Sequence, residues 1–400
     1  MKAAFPCVLT INGGSSSIRF AVYEARKALP RLLEGKIDRI GLSDTKLTAA
    51  FAEGERPLGR RLVAADHRTA VGFLLDWLEE QPIFDSIKAA GHRVVHGMRH
   101  SEPERITPKL LAELRRITPY DPDHLMREIA LIETLLRRHP KLPQVACFDT
   151  AFHRNMPRVA RLLPIPRRYA AKGVVRYGFH GLSYAYLMEE LGRIDPAAAK
   201  KRVILAHLGN GASLAAVRHG KSIDTSMGFT PAAGLMMSTR SGDLDPGLLS
   251  FLVRSESMTP EQFDRMVNHK SGLLGVSDIS SDVRDLLASE AGDIRAAEAV
   301  GLFCYQAKKW IGSFAAALGG LDTLVFAGGI GENAAPIRER ICDGLGFLGV
   351  ELDRTRNAKD APLISRHAGR VKVRVIRTDE ELMIARSIVR VVDLRPNGKT

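Results

Sequence analysis

Three turns built from glycine and small polar residues, and two arginines set among small residues, are the groups in this chain best suited to handle phosphate. The stretch from Ala206 to Asp245 is the richest, with the turn HLGNGA (207–212) after an apolar strand, a short hairpin, a Thr-Pro turn and Arg240 amid small and acidic residues. NGGSSS (12–17) is a second such turn, and GGIGEN (328–333) a third. Small residues let backbone N–H groups approach an anion closely, and the serines add donors. Arg19 follows the first turn on its outgoing strand, within reach of a terminal phosphate. GGIGEN follows a strand and precedes a helix, the arrangement that aims helical N–H groups at a phosphate or ribose. GGIGEN is not a GxGxxG fingerprint, and no GxxxxGK[ST] loop occurs in the chain. One such turn on its own reads as an ordinary hairpin loop. Three, each after an apolar strand, point to a nucleotide site.

The charged candidates are fewer. Arg93 in GHRVVHG and Arg240 in STRSGDLDP each offer a planar guanidinium, which can give two parallel hydrogen bonds to a carboxylate or phosphoryl group. Taken singly, a structural ion pair explains either arginine as well. His180 in YGFHGLS suits a transferring phosphoryl group, or a satisfied structural position. Asp149 and Glu380 are candidates to bind magnesium or to orient a nucleophile, since that ion takes few protein carboxylates and keeps several waters. Glu380 also sits where a helix start favours an acid.

These groups need elements to position them. Val8–Asn12 and Ile18–Tyr23 read as hairpin strands around the turn 13–17. Arg68–Glu80 has helical periodicity, with Val71, Leu74, Leu75 and Leu78 on one face. A strand at Ala89–His96, helices at Pro108–Ile117 and Leu125–Arg138, and a strand at Gln144–Phe148 follow. That strand runs into Asp149 at its carboxyl end, where ligands sit in open α/β sheets. The pattern then restarts. Val203–Leu208 and Ala212–Arg218 repeat the opening hairpin, which suggests a duplicated fold. Helices at Pro260–Asn268, Asp282–Ala288 and Ile294–Leu318, a strand at Leu324–Ala327, a helix from about Ala335, a strand at Val371–Ile376 and a closing helix at Glu380–Val391 complete the reading. Residues 1–150 form one expected domain, on which a helix near 381–395 packs back, and 151–380 the nucleotide-binding one.

Composition narrows the partners. The net charge of +13 is spread over dispersed Arg and Lys doublets rather than one basic stripe with aromatics, which argues against nucleic acid and assists anion capture. Cys7, Cys147, Cys304 and Cys342 lie too far apart for a CxxC motif or a zinc site, and read as buried reduced thiols. With no signal-like start and no membrane-length apolar run, a cytoplasmic protein is expected.

Ten segments, in order, resemble the acetate kinase family: NGGSSSIRF (12–20), GHRVVHG (91–97), FDTAFH (148–153), YGFHGLS (177–183), HLGNGAS (207–213), SIDTSMGFTP (222–231), TRSGDLDPG (239–247), KSGLLGVSDISSDVRD (270–285), FAGGIGEN (326–333) and TDEELMIAR (378–386). The resemblance implies a two-domain α/β protein, a duplicated ribonuclease H-like fold with mixed sheets flanked by helices, as in sugar kinases and actin. It implies magnesium-dependent, reversible, in-line phosphoryl transfer from ATP to acetate, giving acetyl phosphate and ADP, in a homodimer. Asn12 and Glu380 would hold Mg2+, with Mn2+ a substitute. Ser15, Ser17 and Arg19 would lie near the nucleotide phosphates. His207, Leu208, Gly209, Asn210 and Gly211 would contact ATP, as would Asp282, Val283 and Arg284. Gly329, Ile330, Gly331, Glu332 and Asn333 would do the same. Arg93 and Arg240 would clamp the carboxylate and the transferring phosphoryl, with His180 a further stabiliser. Asp149 would orient the nucleophile or act on its surroundings or on a metal-bound water. Val95, Phe179 and Pro231 would line the acyl pocket.

The chain departs from that pattern in places. Arg19 stands where the family has lysine. ITPYDPDHLM (117–126) replaces a Pro-Leu-His-Asn-Pro-like stretch whose leucine and histidine lie near the acyl site, so that Tyr120, Asp121 and Pro122 take their place with His124 shifted. The changed wall shrinks the pocket, admits a hydroxylated acid or weakens activity. Ser238 and Asp278 are lesser departures. Propionate or another short-chain acid is the alternative substrate, and a non-catalytic ATP-binding regulator the alternative of a different class.

Overall fold

Val8, Leu9 and Ile11 are buried on one strand and Ile18, Phe20 and Val22 on the next, because both lie in the middle of a sheet covered on its two faces. The computed structural model describes residues 5–14, 17–52, 58–64 and 66–394. It divides into one unit running up to Ala151 and resuming at Asp379, and another spanning Phe152–Thr378.

The first unit is built on β1 (Cys7–Gly13), β2 (Ile18–Glu24), β3 (Arg31–Asp38), β4 (Lys46–Phe51), β5 (Leu58–Arg61), β6 (Ile87–Val94), β7 (Glu104–Arg105) and β8 (Gln144–Phe148), ordered β5-β4-β3-β2-β1-β6-β8-β7. The meander β1–β5 is antiparallel, whereas β1, β6 and β8 run parallel. Leu9 and Ile11 face a core shared with Leu74, Leu75 and Leu131 of the helices His67–Glu79 and Pro122–Arg138. The other face carries the closing helix Glu380–Val392, packed so closely that a Cβ on Gly91 would lie 2.6 Å from Ile388.

The second unit repeats the scheme with β9 (Arg202–Leu208), β10 (Ala212–Arg218), β11 (Lys221–Thr225), β12 (Thr323–Ala327) and β13 (Lys372–Val375), ordered β11-β10-β9-β12-β13. Its first two joints are antiparallel and its last two parallel, as in β3-β2-β1-β6-β8. This is a duplicated ribonuclease H-like fold with mixed sheets flanked by helices. Among the described residues, no helix is long and apolar enough to cross a membrane.

Three of the differences from the sequence reading stand out. β3–β5 were not expected, because Arg31, Glu34, Lys36 and Asp38 break their apolar alternation. The helix expected from Leu125 starts three residues earlier. Pro122 opens it and the Asp121 side chain caps it by accepting from the His124 N–H at 3.2 Å. Gly328–Asn333, expected as a turn before a helix, is itself a short helix, interrupted at Ala334 before the next one begins.

Candidate active site

The parallel strands of the first unit deliver three polar residues to one sheet edge. Asn12 lies near the end of β1, Arg93 near the end of β6, and Asp149 one residue past β8. Arg93 donates through Nε (3.1 Å) and Nη2 (2.7 Å) to the same oxygen, Oδ2, of the buried Asp149. Its Nη1 donates to the Gly13 carbonyl at 3.4 Å. Burial alone would lower the guanidinium's affinity for its proton, but Asp149, Glu128 and Glu380 together raise it, so the group is a fixed cation. The closing helix brings Glu380, whose Oε2 accepts from Asn12 Nδ2 at 2.8 Å, and Glu381, which accepts from the same amide at 3.3 Å. Burial pushes the Glu380 carboxyl up, and Asp149 adds to the effect. The edge is a crowd of carboxylates around one guanidinium.

Glu128 belongs to this group, and the sequence reading missed it. It sits on the helix Pro122–Arg138 at the spacing Leu125, Glu128, Ile129, Ile132, on the buried face. An acid on the apolar stripe of an amphipathic helix is the signal that finds it. Its Oε2 accepts from the Val95 N–H at 2.9 Å, and its Oε1 lies 3.8 Å from Arg93 Nη1. Burial pushes this carboxyl from its ordinary 4.5 up to about 8, against the pull of Arg93 and the Val95 N–H. The folded chain thus keeps a proton that the unfolded chain loses near pH 4.5. Stability from this group is therefore present below that pH and is lost as the pH rises toward about 8. Glu128→Gln is expected to gain melting temperature over the parent at pH 8 and to lose that gain at pH 4.5. A difference that stays constant across thermal melts in this range would assign the proton elsewhere.

In the second unit, His180 begins the helix Gly181–Ile194 with left-handed backbone (φ 58°), a conformation costing a non-glycine residue about 1 kcal/mol. The ring is held by Ser213 Oγ at 2.8 Å from Nδ1, which leaves Nε2 to point the other way. A Cβ placed on Gly211 would lie 3.2 Å from His180 Nε2 and 3.7 Å from Arg240 Nη1. These two nitrogens therefore converge on space that only glycine leaves open. Arg240 Nη1 also donates to the Pro231 carbonyl at 3.2 Å. His207 packs its ring 4.3 Å from that of His180 and is paired with Ser183.

Two of the glycine turns meet. A Cβ on Gly209 would lie 3.8 Å from the Gly329 N–H, and one on Gly328 (φ 75°) would strike the Leu208 carbonyl at 2.7 Å. Asn210 is braced by Ser238, whose backbone N–H donates to its carbonyl at 3.1 Å and whose Oγ donates to its Oδ1 at 3.4 Å. Glu332 accepts from the Gly328 N–H (2.9 Å) and the Thr378 N–H (3.0 Å), and Asn333 donates to the Gly329 carbonyl. Arg338, fully buried and also missed from sequence, donates to the carbonyls of Gly331 and Glu332 at 2.9 and 3.0 Å and to Asn357 at 2.8 Å. With its bonds to the Asn357 carbonyl and to Asp360, Arg338→Ala strips five acceptors at once. It is expected to cost about 3 kcal/mol or more and to raise the KM for ATP, as urea unfolding and initial rates will measure. An unshifted unfolding midpoint would refute it.

The remaining candidates are placed less pointedly. Asp282 caps the helix Val283–Ser289 and is paired with Arg284, while Val283 is buried. Val95 and Phe179 are each about 1% exposed, and Pro231 is half-buried. Arg19 is exposed on β2, where its charge lowers the Glu380 carboxyl. Ser17 accepts from the Gly14 N–H at 2.7 Å through its carbonyl, and Ser15 lies outside the described residues.

A family model described as the acetokinase family matches residues 7–386. The chain is 44% identical to an acetate kinase of Rhodopseudomonas palustris, over 96% of this chain and 98% of that protein. It is 43% identical to a propionate kinase of Citrobacter rodentium, over 96% of each. Among solved structures, it resembles the acetate kinase of Porphyromonas gingivalis with a TM-score of 0.86 and 36% identity, covering 97% of this chain and 100% of that one. A propionate kinase from Francisella tularensis gives a TM-score of 0.89 at 35% identity, covering 96% and 99%.

Proposed function

Because this chain belongs to the acetokinase family and is a kinase, we propose that it transfers the γ-phosphoryl group of ATP directly and reversibly to the carboxylate of a small acid, acetate first. A carboxylate is already ionised at neutral pH, so no general base is required. One carboxylate oxygen forms a bond to the γ-phosphorus, the bond from phosphorus to the β–γ bridging oxygen breaks, and ADP leaves with the electron pair. What the protein must supply is alignment and relief of the repulsion between two anions.

The observation that carries this reading is the convergence of His180 Nε2 and Arg240 Nη1 on the glycine-only space at Gly211. Both are donors suited to a phosphoryl group whose charge spreads over its outer oxygens. The turns 207–211 and 329–333 bind the nucleotide through backbone N–H groups. Asp282–Arg284 and Arg19 make further contacts with it, as do Ser15 and Ser17. Arg93 binds the acid's carboxylate and is oriented by Asp149. Val95, Phe179 and Pro231 supply apolar contacts to the acyl chain.

Asn12 and Glu380 would hold the magnesium ion, or manganese in its place. They offer hard oxygen donors, and burial and the nearby Asp149 leave Glu380 in need of a cation. Among the described residues no three His, Cys, Asp or Glu side chains gather as a metal cage, which fits an ion that keeps much of its water. Bound there, it would neutralise phosphate charge. The cytoplasm is our proposed location, supported by four free, buried cysteines. A homodimer is the proposed assembly, and the exposed Phe251 and Val253 offer apolar surface for it.

Trapping with hydroxylamine, in the presence of ATP, magnesium and acetate or propionate, tests the reading through the hydroxamate formed from the acyl phosphate. ATP binding without any hydroxamate would favour a regulator over an enzyme. Identities of 44% and 43% do not separate acetate from propionate.

A further inference from the structure

We propose that Glu128 selects the acid, and that the acid it selects carries a hydroxyl group one or two carbons from its carboxylate. The proposal rests on the carboxylate-kinase reading and names the substrate class of that same site. Glu128 has a side chain only 3% exposed, and its two oxygens have different fates. Oε2 is fixed by the Val95 N–H at 2.9 Å. Oε1 has no hydrogen-bond donor in reach among the described residues. Its nearest cation, Arg93 Nη1, is 3.8 Å away, too far for a hydrogen bond.

Arg93 does not need Glu128 as an anchor, because two of its nitrogens hold Asp149 and the third reaches the Gly13 carbonyl. This buried oxygen without a donor therefore sits between Arg93, proposed to grip the acid, and Val95, proposed to line its chain. The neighbouring wall is polar as well. Tyr120 packs on His96 with ring centres 5.8 Å apart, and Asp121 pairs with His124 at 2.8 Å, where the resemblance would place a leucine and a histidine.

An acid with a purely apolar chain leaves Glu128 Oε1 buried without a partner, which is costly. A hydroxyl close to the carboxylate gives it one. Sites built to hydrogen-bond a substrate hydroxyl reject analogues that lack it more sharply than apolar pockets reject an added methylene. An ammonium group is a poorer match than a hydroxyl, because the Arg93 cation lies too close.

The test compares acids that differ only by the hydroxyl: acetate with glycolate, propionate with each lactate enantiomer, and propionate with 3-hydroxypropionate. For the wild-type enzyme with ATP and magnesium, at least one hydroxylated acid is expected to exceed its partner in kcat/KM by about 10-fold or more, chiefly through KM. Glu128→Leu is expected to abolish that ratio, and Glu128→Gln, which still hydrogen-bonds, to keep part of it. A preference for the plain acid in every wild-type pair overturns the proposal. So does a ratio that survives in Glu128→Leu while all acids weaken together, since Glu128 would then only steady Arg93. If Glu128→Leu does not fold, the wild-type pairs decide. Absence of acyl phosphate from every acid overturns the kinase reading itself, a result distinct from a plain-acid preference.

Discussion

Arg93→Ala is expected to lower kcat/KM for the acid roughly a thousandfold, the size of effect seen when a donor that stabilises developing charge is removed. Two further consequences separate this variant from a simple loss of binding. Asp149 is fully buried, and it loses the guanidinium paired with it at 2.7 Å. Leaving buried carboxylates uncompensated costs about 3–5 kcal/mol. The variant should therefore melt earlier than the parent at neutral pH. Arg93→Lys restores the charge but not the paired donation from Nε and Nη2 to one oxygen, so it should recover stability more fully than rate. Calorimetry and steady-state kinetics on the two variants check this. Unchanged turnover in Arg93→Ala would refute the assignment, whatever its stability.

Arg240→Ala is expected to behave differently. Its Nη1 donates to a backbone carbonyl, that of Pro231. The expected signature is kinetic: kcat and kcat/KM fall together by about 10²–10³-fold, because the contact proposed for Arg240 is made to the phosphoryl group in flight. Parallel falls identify an interaction present only in the transition state. A raised KM for ATP with an unaltered kcat would make Arg240 a ground-state binder and overturn its catalytic role. Taken together, the two arginines predict losses of similar size in an activity assay.

Much of this was readable from the residue string, for reasons that vary with the element. The hairpins β1–β2 and β9–β10 show their repeat because both are buried on two faces, so nearly every residue is apolar and the turns stand out. Asp149 was legible as a strand-end acid because a parallel strand with its apolar run points its carboxyl end at the ligand edge. β3–β5 were not, since half-exposed strands carry charges that mask the alternation. The extra residues at the start of the helix Pro122–Arg138 were missed because a cap depends on where one aspartate oxygen lands. Glu128 and Arg338 were passed over for a shared reason: each is a charged residue on a buried face, and burial of charge is visible only once the partners are placed.

The sequence by itself determined the duplicated α/β scheme, the glycine turns and the identity of the charged candidates, because these follow from local periodicity and from the small residues that close approach requires. Only the tertiary structure decided which of them meet. It put Asn12 against Glu380 across 368 positions of chain, joined Arg93 to Asp149 with Glu128 behind it, and aimed His180 and Arg240 at Gly211. Such meetings arise from strand order and helix packing, which sum many weak apolar contacts over the whole chain. No short stretch of residues encodes them.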